Sequence, residues 1–98
     1  MADQEPDKEV TITLDGSGMP VPSIDPIPVK KNKQKIRWCA TFPFTIDITG
    51  YTGSIHYGTG SGSCANSAKT DNFTVEQQYK YSITANNKTN DPDIDVKP

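Results

Sequence analysis

Ninety-eight residues suffice for one domain, but a chain this short buries only about two-thirds of the surface it exposes unfolded, so any core is thin. With 33% hydrophobic residues, seven Gly and eight Pro, the composition disfavours long helices, and no run approaches the roughly 20 apolar residues that cross a bilayer. The net charge of −2 is unlike that of a dedicated nucleic-acid binder, so neither nucleic acid nor membrane insertion is expected.

Residues 1–8 are polar and acidic and read as a disordered tail ahead of a single domain over 9–98. The opening stretch has no apolar h-region, so no signal peptide is expected in it. The protein is then either cytoplasmic, or exported with its signal removed and Met1 added. Val10, Ile12 and Leu14 alternate with Thr11 and Thr13, the period of a strand with one face buried. Pro20, Pro22, Pro26 and Pro28 then rule out a central strand. They predict an extended connection leading to an edge strand over 27–30, with Ile24, Ile27 and Val29 as apolar anchors. The basic run of Lys30, Lys31, Lys33 and Lys35 is read as a solvated turn rather than a phosphate-binding patch.

The next strand, over 35–40, sets Ile36, Trp38 and Ala40 on one face and Lys35, Arg37 and Cys39 on the other. After Pro43, Phe44, Ile46 and Ile48 alternate with Thr45, Asp47 and Thr49. Five of the seven glycines fall between 50 and 62. The stretch 50–70 is too poor in apolar residues for a central strand and is read as a long loop, with at most a short edge strand at 54–57. Phe73 and Val75 predict a short strand, and Tyr79, Tyr81 and Ile83 a longer one. The segment 86–90 predicts a turn-rich loop, and Ile94 and Val96 a last strand. About seven or eight short strands and no helix point to an all-β, Greek-key sandwich. The predicted core is Val10, Ile12, Leu14, Ile27, Val29, Ile36, Trp38, Phe44, Ile46, Ile48, Phe73, Val75, Tyr79, Tyr81, Ile83, Ile94 and Val96.

Cys39 and Cys64 are the only cysteines, too distant for a C-x-x-C motif and too few for a structural zinc site. A disulfide between them would staple the glycine-rich stretch to the sheet and imply an oxidising compartment, periplasmic or secreted. Two free thiols in a cytoplasmic protein are the other possibility.

The order of elements resembles that of the cupredoxins, the plastocyanin-like blue-copper fold. The residues that carry it are the opening strand, Pro28-Val29-Lys30-Lys31-Asn32 before an aromatic-bearing strand Ile36-Arg37-Trp38, then Thr41-Phe42-Pro43-Phe44-Thr45, Tyr79-Lys80-Tyr81 and a final strand. An immunoglobulin-like sandwich satisfies the same periodicity. The resemblance implies a first copper-ligating His where Phe44 stands, and Cys, His and Met near the last strand, where 79–94 has none. A blue-copper site needs two imidazoles and a thiolate, and His56 is the only His. The resemblance is therefore to copper-free members that use the sandwich as a binding scaffold.

No catalytic, cofactor-binding or metal-ligating set is expected, and the chain is not read as an enzyme. His56 among Ser54, Ser61 and Ser63 is read as a surface His. Asp91, Asp93 and Asp95 lack the Gly and Glu that would continue a calcium loop. Asn72-Phe73-Thr74 and Asn87-Lys88-Thr89 match the N-glycosylation triplet. The expected function is a non-enzymatic extracytoplasmic binding or structural module, monomeric, whose partner is another protein or a surface glycan. Tyr51, Ile55, His56 and Tyr57 are its candidate partner-binding residues, since Tyr offers rigid contact area among adaptable Gly and Ser. The alternative is a metal-binding or redox protein with a non-standard copper site built from Cys39 or Cys64, His56 and Met19.

Overall fold

Trp38 and Tyr81 meet at the centre of the molecule, one from each of two sheets. The indole Nε1–H donates to the phenol oxygen at 3.3 Å, with ring centroids 5.3 Å apart. The computed structural model describes residues 5–98, so the first four residues of the expected tail lie outside the described residues. It is all-β: β1 (Lys8–Leu14), β2 (Pro20–Pro22), β3 (Ile27–Lys30), β4 (Ile36–Ala40), β5 (Thr45–Ile48), β6 (Ile55–Thr59), β7 (Asn66–Thr70), β8 (Gln78–Ala85), β9 (Lys88–Asn90) and β10 (Asp93–Lys97). One 3-10 turn, Gly62–Cys64, precedes β7. No helix among the described residues is long and apolar enough to cross a membrane.

The first sheet runs β2-β1-β4-β7-β6, and the second runs β3-β10-β8-β5 with β9 also beside β8. Both are mixed: β1 lies parallel to β4, and β3 parallel to β10. The proline-rich segment is shared between the sheets, β2 at an edge of one and β3 at an edge of the other. Edge positions suit Pro20, Pro22 and Pro28, which have no N–H for a ladder.

Strands β1, β5, β8 and β10 bury alternate residues, and the two inner faces form one core. Val10 and Ile12, Ile36 and Trp38, Ile46 and Ile48, Tyr79, Tyr81 and Ile83, and Ile94 and Val96 are all buried, as their periodicity predicts. Two predicted core residues are not. Leu14 is 42% exposed, because β1 pairs with β4 only as far as Thr11 opposite Cys39, and Leu14 overhangs the end of that ladder. Val75 is 49% exposed, because residues 71–77 form a connection and not the predicted strand. Phe73 alone turns inward from it, against Tyr51 and Tyr79.

The described residues hold ten strands, more than the seven or eight expected. The larger correction concerns 50–70, expected to be a loop with at most a short edge strand at 54–57. The edge strand is there, as β6, but the stretch also forms β7, which is central, between β4 and β6. Its inward residues are small or polar. Ala68 faces Trp38 in register, and buried Thr70 accepts the Ile36 N–H on its hydroxyl at 3.0 Å. A strand can thus be central with little hydrophobic content when a bulky neighbour fills the space. The segment 86–90 is likewise a hairpin. Asn86 and Asn87 take φ of 53° and 60°, the left-handed pair of a two-residue turn, and lead into β9. Its tip is tied to the β1–β2 turn by Lys88 Nζ donating to the Ser17 carbonyl and Asn86 Nδ2 to that of Gly18.

At the other end, residues assigned to the tail are held. Lys8 opens β1, the Glu5 N–H donates to the Lys33 carbonyl at 2.8 Å, and Asp7 pairs with Lys69 at 3.0 Å. Gln34 is buried, accepting the Lys30 N–H and donating to the Pro6 carbonyl, each at 3.1 Å.

Candidate functional site

The two sheets end on one side of the molecule in edge strands β5 and β6. In β6, Tyr57 is in register with Ala68, which faces the core, so its ring points into the gap between the sheets. There its hydroxyl accepts the Ile46 N–H at 2.9 Å and donates to the Ile46 carbonyl at 3.1 Å. These backbone groups face away from β8, because Thr49, three residues on, makes the ladder bond to Lys80. The phenol acts as a one-atom strand partner for the β5 edge. With its hydroxyl engaged, the side chain is still 53% exposed. It forms one wall of a groove of about 400 Å³, whose other walls include Pro43, Phe44, Thr45, Thr59 and Asn66.

The backbone of β6 has a definite polarity. The Gly60 N–H donates to the Ala65 carbonyl at 3.1 Å, and Gly58 and His56 stand opposite Ser67 and Lys69 in the same phase. By antiparallel parity the N–H and C=O groups of Ile55, Tyr57 and Thr59 therefore point away from β7, toward open solvent.

The four partner-binding candidates do not form one surface. Tyr51 turns inward, its ring 5.0 Å from Phe73 and 6.4 Å from Tyr79, and burial pushes its phenol up from the ordinary tyrosine range. Ile55 is half-buried against the core. His56 lies on the outer face of the first sheet, with Nε2 3.0 Å from Asp71 Oδ1. Only Tyr57 borders the groove. Asp71, which carried no sequence signal, ties Tyr51 and His56 together. Its Oδ2 accepts the Ser54 N–H at 3.2 Å, and its own N–H donates to Tyr51 Oη at 2.9 Å. The Ser54 N–H, then the His56 ring, hold its carboxyl below the usual carboxylate range. Gly53 is required beside it, since a Cβ there would collide with the Tyr51 ring.

Cys39 and Cys64 form the expected disulfide, with Cα atoms 4.5 Å apart. It lies on the outer face of β4 and pins the 3-10 turn there. Arg37 bridges the same region, donating from Nη2 to Cys64 Sγ at 3.2 Å and pairing from Nη1 with Glu9 at 3.3 Å. Half of the basic run is paired: Lys30 with Glu5 at 3.1 Å and Lys31 with Glu76 at 3.9 Å. Asp93 and Asp95 pair with Lys80 and Lys97, and Asp91 accepts the Ser82 hydroxyl. Of the glycosylation triplets, Asn87 sits exposed on its turn, while Asn72 is half-buried beside fully buried Phe73.

The groove residues outside β6 were invisible as a group in the sequence. Pro43, Phe44 and Thr45 reach it only because β5 and β6 end their sheets on the same side. No family model, no curated protein and no solved structure matches this chain.

Proposed function

We propose that this chain is a non-enzymatic extracytoplasmic binding module that receives its partner at the groove between the β5 and β6 edges. The observation that carries the reading is the state of Tyr57: its hydroxyl is fixed on Ile46 while its ring is left exposed. An immobilised aromatic wall loses little freedom on binding, which favours affinity. The scaffold in this reading is a Greek-key, copper-free cupredoxin-like sandwich, with the immunoglobulin-like arrangement as its alternative. Supporting it are the sequence of proline-bearing β3, basic turn and Trp38-bearing β4, and Phe44 packed into the core where a copper ligand would stand. The disulfide supports an oxidising, periplasmic or secreted location. It also commits both thiolates that a non-standard copper site would have drawn on.

Parallel panning of the oxidised protein against a glycan array and a library of short random peptides on phage tests the reading. Binders are expected that are lost with Tyr57→Ala and with Thr59→Arg, which fills the groove without touching the core. Absence of binders, or binders indifferent to both substitutions, overturns it.

A further inference from the structure

We propose that the partner is an extended polypeptide segment that pairs with β6 as a sixth strand of the first sheet. The inference rests on the binding-module reading and names the chemistry of its partner.

An exposed sheet edge invites unwanted pairing, and folded proteins guard theirs with Pro, charge, short length or cover. Here the other edges carry such guards. β2 contains Pro20 and Pro22 in three residues, and β3 contains Pro28, with Pro26 just before the strand. The β5 edge has the Ile46 N–H and C=O capped by the Tyr57 hydroxyl. β9 is three residues long, and Asn90 donates across to the Pro20 carbonyl at 3.0 Å. β6 has none of these. Its five residues, Ile55-His56-Tyr57-Gly58-Thr59, include no Pro, Lys, Asp or Glu, and all but Ile55 are exposed. Three consecutive outward positions, Ile55, Tyr57 and Thr59, present donor and acceptor together in the spacing an incoming strand requires.

The groove supplies the second half of the recognition. A strand added to β6 alternates its side chains between the outer face of the sheet and the gap between the sheets. The inward positions then lie over the groove, against the Tyr57 ring, Pro43 and Phe44. That wall suits an apolar side chain. The outer positions extend the row Glu9, Arg37, Lys69 and His56, whose side chains already pair with one another or with Asp7 and Asp71. Outer residues of the partner are therefore weakly specified. The expected ligand is a short extended peptide, read mainly through its backbone, with one apolar inward residue. A glycan matches the groove walls but makes no use of the three outward backbone pairs.

The test uses the intact oxidised chain and one peptide enriched from the short random library. Synthetic copies carrying a single N-methyl amide at each position keep every side chain and remove one donor. Strand addition predicts a period-two pattern, with affinity falling about tenfold or more at alternate positions and little between them. Hydrogen exchange followed by NMR is expected to show the Ile55, Tyr57 and Thr59 amides protected by the peptide, and those of β2 and β3 unaffected. A peptide that tolerates N-methylation everywhere yet is lost with Tyr57→Ala overturns strand addition and leaves the binding module standing. So does a groove that takes glycans only. A dimer whose Ile55, Tyr57 and Thr59 amides are protected without peptide places a second copy on the edge and also overturns it. No binder of any kind overturns both readings.

Discussion

The Tyr57 hydroxyl closes both hydrogen-bonding groups of Ile46, at 2.9 and 3.1 Å, and so joins the free edges of two sheets through one oxygen atom. Two residues eleven apart in sequence thereby do the work of a missing strand. Tyr57→Phe removes only that oxygen. It is expected to cost about 1 kcal/mol in urea unfolding, and to make the Ile46 amide among the faster-exchanging amides of β5.

Trp38 and Tyr81 form the corresponding link through the core. Tyr81→Phe leaves the indole N–H buried without an acceptor and is expected to cost about 1–3 kcal/mol. Trp38→Phe orphans the phenol and opens a cavity, at about 2–4 kcal/mol. Because each single change strands the other partner, the double variant is expected to lose less than the sum, as a double-mutant cycle would measure.

The same burial raises the Tyr81 phenol well above its ordinary value, and that of Tyr51 less so. A phenol harder to ionise in the folded state contributes stability fully present below the unfolded value of about 10, which is lost as pH rises above it. Ultraviolet titration is expected to show these two phenols ionising late, with Tyr81 released together with unfolding.

Asp71 gives the opposite dependence at the acid end. Its lowered carboxyl contributes stability above the unfolded value of about 3.9, lost as pH falls through the lower folded value. Melting of Asp71→Asn is expected to depend less steeply on pH over that part of the acid range, with Asp15, held low by Ser17 and Met19, supplying a remaining dependence. The Ser54 amide should lose protection on acidification in the wild type, as hydrogen exchange followed by NMR would show.

The disulfide closes a sequence separation of 25 residues, for which loop-closure entropy gives about 3.5 kcal/mol. Cys39→Ala with Cys64→Ala is expected to lose up to that amount in urea unfolding. The far-ultraviolet spectrum should remain that of a sheet, because the bond lies on the outer face and no core contact depends on it.

The all-β class and most of the core were legible in the chain's alternation, whereas the Cys39–Cys64 bond was one of two readings left open until the structure placed the two Cα atoms 4.5 Å apart. Val10 with Ile12, Ile46 with Ile48, and Tyr79 with Tyr81 alternate strictly, and the backbone pleat turns alternation directly into a buried face. Which strand lies beside which came from contacts distant in the chain. Ala68 and Thr70 look like loop residues until Trp38 is placed opposite them. Leu14 and Val75 look like core until the ladders that should cover them stop short or never form. Tyr57 and Ile46 become partners only when two sheets end on the same side. Periodicity reports which face of a strand is buried, whereas neighbours, edges and the groove between them arise from contacts distant in the chain, on which a local pattern carries no information.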